Sequence, residues 1–312
     1  MLTEQPLRLT VAICTWNRCQ SLRQTLDGFT RMAPPRDARW ELLVVNNNCT
    51  DATDDVIRQY ESRLPLRRAA ESTPGLSHAR NRAVQESTGD YIIWTDDDVT
   101  VVPNWLSAYA DAFRRHPEAA IFGGPIRPTF EGTPPEWLTR IYPTIAGVYA
   151  ACDHGPEAIR LHYWATPWGA NYAIRKREQL GHMYDPELGY RPGRMIGWEE
   201  TEVIRAMLAN GVEGWWVPEA ALQHHVPPAR QTTKYLRTHF YNRGRYFGSR
   251  WTDVDEHYVF GRPRWMWRQA ITSELRYRIR RVASSPEVWI DDLISSSETW
   301  GILNGYNKPA EA

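Results

Sequence analysis

The segment Tyr91–Asn104, YIIWTDDDVTVVPN, constrains this chain more than any other. A short apolar strand, Tyr91 to Trp94, runs straight into three consecutive carboxylates, Asp96, Asp97 and Asp98. Three acids at a strand end repel one another and are costly to desolvate, so a fold keeps them only with a positive charge among them. A hard divalent cation such as Mg²⁺ or Mn²⁺ fits that need. It takes oxygen ligands, often one or two carboxylates, and leaves positions for waters and substrate phosphates. The plain alternative is a solvated acidic turn. The apolar strand before the acids and the Pro103-Asn104-Trp105 helix start after them favour a metal–phosphate site at the carboxyl edge of an α/β sheet, where such folds bind ligands.

The surrounding text supplies such a sheet. Leu9–Thr15 is a continuous apolar run, as expected for a strand covered on both faces. Strands are expected again at Glu41–Val45, Leu66–Ala69, Tyr91–Thr95 and Ala119–Gly123, and helices at Ser21–Met32, Thr53–Leu64, Leu76–Glu86 and Asn104–His116. That alternation predicts a parallel, right-handed, doubly wound sheet. From Pro125 to Pro167 the chain is rich in Pro, Gly and Trp and reads as loops and short strands. A helix over Glu199–Asn210 and a strand over Gly214–Val217 follow, and helices dominate beyond Pro227. The expected division is a catalytic domain over 1–226 and a helical region over 227–312, close to an acceptor or a membrane.

The 312 residues carry 37 basic and 37 acidic side chains, so global charge does not point to nucleic acid. The charge is uneven, however. From Arg230 to Arg281 thirteen Lys or Arg stand against four acids, Asp253, Asp255, Glu256 and Glu274, a local charge of +9. Within it Trp267, Ile271, Leu275, Ile279 and Val282 form an apolar stripe at helical spacing. The pattern fits an anionic membrane surface or a phosphorylated acceptor, or else a helix docked on the main domain with a solvated Arg face. No nucleic-acid-binding module accompanies it. The four cysteines lack metal spacing, the N-terminus does not read as a signal peptide, and no stretch is apolar enough to span a bilayer. A cytoplasmic protein, peripheral on the inner membrane face, is the expectation. Fifteen Trp suit both sugar stacking and membrane interfaces.

Eight ordered segments resemble family 2 glycosyltransferases of the GT-A fold, a Rossmann-like, mainly parallel sheet flanked by helices. They are VAICTWNR (Val11–Arg18), VVNNNCTDATDDVI (Val44–Ile57), GLSHARNRAV (Gly75–Val84), TDDDV, GANYAIRK (Gly169–Lys176), GWEETEV (Gly197–Val203), HHVPPAR (His224–Arg230) and YNRGR (Tyr241–Arg245). The resemblance implies transfer of a sugar from a nucleoside-diphosphate donor, read here as a UDP-sugar, usually with inversion and with Mg²⁺ or Mn²⁺. A hydroxyl of a glycan, lipid-linked or small-molecule acceptor would receive it.

The resemblance also assigns roles. Thr15, Trp16, Asn17 and Arg18 form the turn after the first strand, with the Trp16 face available to a uracil. Asn46 stands where the family has an Asp that accepts from the base; an amide can both donate and accept. Asp51 would contact the base or cap the following helix. Arg80 would meet a base carbonyl or diphosphate oxygen. Asp96 falls to the ribose hydroxyls, Asp98 to the metal, and Asp97 between them. Asn171 lies in the stretch beneath the sugar, and Arg230, Arg243 and Arg245 would close over the diphosphate. His224 is a further candidate metal ligand. The family's base, an Asp, falls on Glu200, preceded by Glu199; the added methylene leaves both within reach of the acceptor hydroxyl. All three of Glu199, Glu200 and Glu202 also suit a helix's first turn. A sugar-nucleotide pyrophosphorylase would carry a Gly-rich loop where this chain has TWNRCQ, and a non-catalytic homologue would not need the paired Glu199-Glu200 or intact Asp96 and Asp98.

Overall fold

The computed structural model describes residues 6–191, 194–251 and 257–306, without the side chains of 194–196; Asp253, Asp255 and Glu256 of the basic stretch lie outside them. The chain forms two compact units, Met1–Thr129 with Tyr149–His225, and Phe130–Val148 with Val226–Ala312.

The first unit is built on β1 (Leu7–Thr15), α1 (Cys19–Thr30), β2 (Ala38–Asn47), α2 (Thr53–Tyr60), β3 (Leu66–Glu71), α3 (Leu76–Glu86), β4 (Tyr91–Thr95), β5 (Val99–Val101), α4 (Trp105–Arg115), β6 (Ile121–Gly123) and β7 (Ile126–Phe130). After α5 (Glu136–Ile145), which belongs to the second unit, come β8 (Asn171–Arg175), α6 (Lys176–Leu180), β9 (Gly189–Arg191), β10 (Arg194–Ile196), α7 (Glu199–Ala209), β11 (Gly214–Trp216) and β12 (Leu222–Val226). Seven strands pair in the order β11-β6-β8-β4-β1-β2-β3. Val11, Ile13, Leu42, Val44, Ile92 and Ile93 are all buried, as the unbroken apolar runs require of strands covered on both faces.

The sheet is mainly parallel, as the resemblance implies, with one strand that the alternation of strands and helices does not predict. β8 runs antiparallel to both β4 and β6, with Thr95 opposite Asn171 and Ile121 opposite Ile174. It inserts between two strands that would otherwise be neighbours, and the sheet is mixed. A correction concerns the Pro-rich stretch, where α5 forms despite Pro143 inside it. Pro135 lies just before the first turn, where a missing N–H costs nothing, and Leu138, Ile141 and Ile145 give the helix a buried face.

The second unit contains α5, α8 (Thr233–Ser249), α9 (Arg264–Ala283) and α10 (Pro286–Gly305). Helices α8 and α10 meet backbone to backbone. A Cβ added at Gly244 would lie 2.2 Å from the Glu298 carbonyl oxygen, and one at Gly301 would lie 2.1 Å from that of Tyr241. Gly248 and Gly305 sit equally close to Ile302 and Arg245. Small residues four apart on each helix thus remove the side chains that normally hold helix axes apart.

Candidate active site

The acid triplet leaves β4 at its carboxyl end and immediately enters β5. β12 pairs antiparallel with β5, setting His224 opposite Val99, and the His225 N–H donates to the Asp98 carbonyl at 2.8 Å. This ladder carries His224 to Asp98 across 126 positions of sequence. One ligand atom each of Asp96, Asp98 and His224 lies within 4.8 Å of the others. His224 Nδ1 is 3.1 Å from the Tyr149 carbonyl oxygen, which makes Nδ1 the protonated nitrogen. The lone pair on Nε2 then faces Asp98 Oδ1 at 3.4 Å. Two acceptors turned toward each other call for a proton or a cation between them. Two carboxylates and an imidazole suit Mn²⁺, which accepts nitrogen more readily than Mg²⁺ does, so these residues fit a divalent ion.

Arg18 supplies part of the positive charge the triplet requires. Its Nη1 donates to Asp97 Oδ1 at 2.6 Å and its Nη2 to Asp98 Oδ2. Thr15 donates to the other Asp97 oxygen at 2.6 Å. Burial pushes the Asp96 and Asp97 carboxyls up, Asp97 to about 7, against the pull of Arg18. Asp97 is thus a buried strut tied to both Arg18 and Thr15.

The acid pair Glu199-Glu200 starts α7 and is held from below by Arg80. Trp198, before the helix, adopts φ 80°, a left-handed conformation uncommon outside glycine. Arg80 Nη1 lies 2.8 Å from Glu199 Oε1 and 3.7 Å from Glu200 Oε2, and Nη2 donates to the Gly169 carbonyl at 3.3 Å. Its guanidinium carbon lies 5.9, 5.7 and 5.4 Å from the ring centroids of Trp94, Tyr172 and Tyr184. These rings form an aromatic box that favours a desolvated cation. Arg80 is only 3% exposed, and its described contacts are with the acid pair, Gly169 and the three rings.

Burial, reinforced by Glu200, pushes Glu199 up to about 8, with Arg80 acting the other way. Glu199 is buried, whereas the Glu200 side chain keeps 14% of its surface and its carboxylate borders Gly169. Between about pH 4.5 and 8 the unfolded chain has released a proton that folded Glu199 retains. This contribution is fully present below pH 4.5 and lost as pH rises through about 8. Unfolding free energy of wild type should therefore fall relative to Glu199→Gln between pH 5 and 8. Parallel curves in denaturant titrations would contradict the shifted acid.

Other predicted residues divide cleanly. Trp16 is 44% exposed at the end of β1, with its ring free of the core. Asn17, at φ 50°, accepts from the Thr50 N–H at 2.7 Å and latches the β1–α1 turn to the β2–α2 loop. Asn46 donates to Asp54 at 2.6 Å and accepts from the Cys49 N–H at 2.8 Å, bracing that loop. Asp51 accepts from the backbone N–H of Cys19 and of Thr53, at 3.0 and 3.1 Å, so it caps two helix starts. Asn171 requires correction. Its amide donates to the carbonyls of Pro125 and Ala220 and accepts from Trp105 and Tyr109, which fills its whole capacity inside the core. Arg230, Arg243 and Arg245 belong to the second unit, where Arg243 pairs with Glu298 and Gly244 between them is a helix contact. The aromatic box around Arg80 and the contact of Gly169 with Glu200 were not foreseen. The spacing of Trp94, Tyr172 and Tyr184 in the sequence carries no signal of either.

A mixed sheet with an acid triplet at its carboxyl edge, a nearby imidazole and a Glu pair at a helix start fits a glycosyltransferase of the GT-A fold. Residues 10–191 match Glycosyl transferase family 2, and the chain belongs to that family. It is 25% identical over 256 residues to the succinoglycan biosynthesis protein ExoM of Rhizobium meliloti (strain 1021), covering 79% of this chain and 76% of that protein. It is 21% identical over 225 residues to the glucosyl-dolichyl phosphate glucuronosyltransferase of Haloferax volcanii, covering 70% and 69%. In fold it resembles the mannosyltransferase PcManGT from Pyrobaculum calidifontis, solved in complex with GDP-Man and Mn²⁺, with TM-score 0.53 and 17% identity over 78% of this chain. The chain spans 63% of that structure.

Proposed function

We propose that this chain is a metal-dependent, inverting glycosyltransferase that moves a sugar from a UDP-sugar to a hydroxyl of a glycan or lipid-linked acceptor. The Asp96–Asp98–His224 cluster carries this reading, together with an acid pair close enough for Asp96 to act on Glu199 electrostatically. Asp98 and His224, with Asp96, would hold Mn²⁺ or Mg²⁺, which neutralises charge on a diphosphate leaving group. Trp16 offers its face to the base. Glu200 takes the proton from the acceptor hydroxyl as the oxygen attacks the anomeric carbon and the bond to the diphosphate breaks. Glu199, raised in pKa and bound to Arg80, keeps its neighbour in place without competing for that proton. Names of the relatives support a saccharide acceptor, since two of them act in succinoglycan biosynthesis or on glucosyl-dolichyl phosphate.

The test is thermal stabilisation by UDP. UDP with Mn²⁺ or Mg²⁺ should raise the melting temperature, and UDP in chelator should not. Asp98→Ala should abolish the metal-dependent part. Equal stabilisation in chelator and in metal would remove the metal from the proposal.

A further inference from the structure

Helix α9 presents two faces of opposite destiny. Met266, Ala270, Ser273 and Tyr277 are buried and dock the helix within its unit, where Arg237 of α8 lies over the Tyr277 ring and Thr299 of α10 meets Ser273 at 2.9 Å. At 100° per residue, Ile271, Leu275, Ile279 and Val282 fall on the opposite side. They are 47, 55, 68 and 90% exposed. The stripe that a docked helix would bury therefore points away from its own unit. Arg264, Arg268 and Arg278 share that side, and the helix carries six Arg against one acid, Glu274. Phe260, 90% exposed in the turn just before the helix, adds an aromatic ring.

We propose that α9 is an interfacial helix that lies on an anionic lipid surface, with the Ile271–Val282 stripe in the headgroup–acyl boundary and the arginines on lipid phosphates. Four aliphatic side chains in a row have no complement on a phosphodiester backbone, which disfavours nucleic acid. A second copy of the same face would bring one set of arginines against another, which disfavours self-association. A bilayer answers both demands, since it offers apolar depth and negative charge together. No described helix is long and apolar enough to cross a membrane, so the contact is one of surface. The geometry is independent of the sugar-transfer reading.

The experiment is co-sedimentation of the full chain with vesicles of phosphatidylcholine alone or with one quarter phosphatidylglycerol. Binding is expected only with the anionic lipid, and 0.5 M salt should weaken it. Ile271→Ser/Leu275→Ser/Ile279→Ser should remove it at an unchanged melting temperature, because these side chains make no core. Arg264→Glu and Arg268→Glu should each lower the partition coefficient at least fivefold, the change given by ~1 kcal/mol per basic residue lost. Equal binding to both lipids, binding to neither, or a triple-serine variant that still sediments would overturn the proposal. So would a wild-type dimer that the triple-serine variant breaks, which would make the stripe a self-association face.

Discussion

Glu200→Gln should lower kcat by about 10²- to 10⁴-fold while leaving UDP-sugar affinity nearly unchanged, the usual cost of removing a general base. The amide keeps the size of the side chain and its contact with Arg80 but cannot take the acceptor's proton. Glu199→Gln is expected to reduce kcat less, because Glu199 is buried, bound to Arg80 and already raised to about 8. The measurement is steady-state turnover of both variants beside donor affinity. Full activity in Glu200→Gln with a dead Glu199→Gln would exchange the two roles, and activity in both would exclude a single-base inverting mechanism.

The second large effect lies in the helical unit. Gly301→Val should destabilise the protein by about 3 kcal/mol or more, the upper range for overpacking, because the obstacle is the Tyr241 carbonyl and no rotamer relieves it. Gly28→Ala in α1 provides the contrast. Its nearest neighbour, a Thr100 methyl, lies 3.7 Å from the new Cβ, so the better helix former should stabilise by up to about 1 kcal/mol. Denaturant melts of the two variants would decide the matter. A neutral Gly301→Val would mean that α8 and α10 do not meet as closely as described.

How much of this was legible in the sequence depended on which forces wrote it. The strands β1 to β4 and helices α1 to α4 could be read because burial on both faces produces unbroken apolar runs and helices produce a 3.6-residue period. The antiparallel direction of β8 could not, since NYAIR reads the same in either orientation and only its neighbours decide. The acid triplet stood out because hard-cation chemistry limits the residue types, and the resemblance added His224; Asp96, expected at the ribose, lies in the same cluster as Asp98 and His224. The surroundings of Arg80 could not be read, because a guanidinium bound to a carboxylate inside a box of rings has the same sequence as one facing a phosphate. Gly244 was ambiguous in a similar way. Within YNRGR it resembled a motif around two phosphate-binding arginines, whereas its lack of a side chain is what α10 requires. The stripe on α9 was visible as a pattern, but its outward direction depended on Met266, Ala270, Ser273 and Tyr277, a less apolar set that sequence ranks second.

Arg18 changes what the proposed metal site would ask of the protein. In a small metallodomain such as a zinc finger, the ion is a keystone and the chain unfolds when it is taken away. Here a resident guanidinium already stands between Asp97 and Asp98, so mutual repulsion of the acids is answered by the chain itself. If the Asp98–His224 site takes an ion as proposed, that ion would not have to be a keystone: it would be free to arrive with one nucleotide sugar and leave with the spent nucleotide, and the sheet that holds the acids would have no reason to come apart between turnovers.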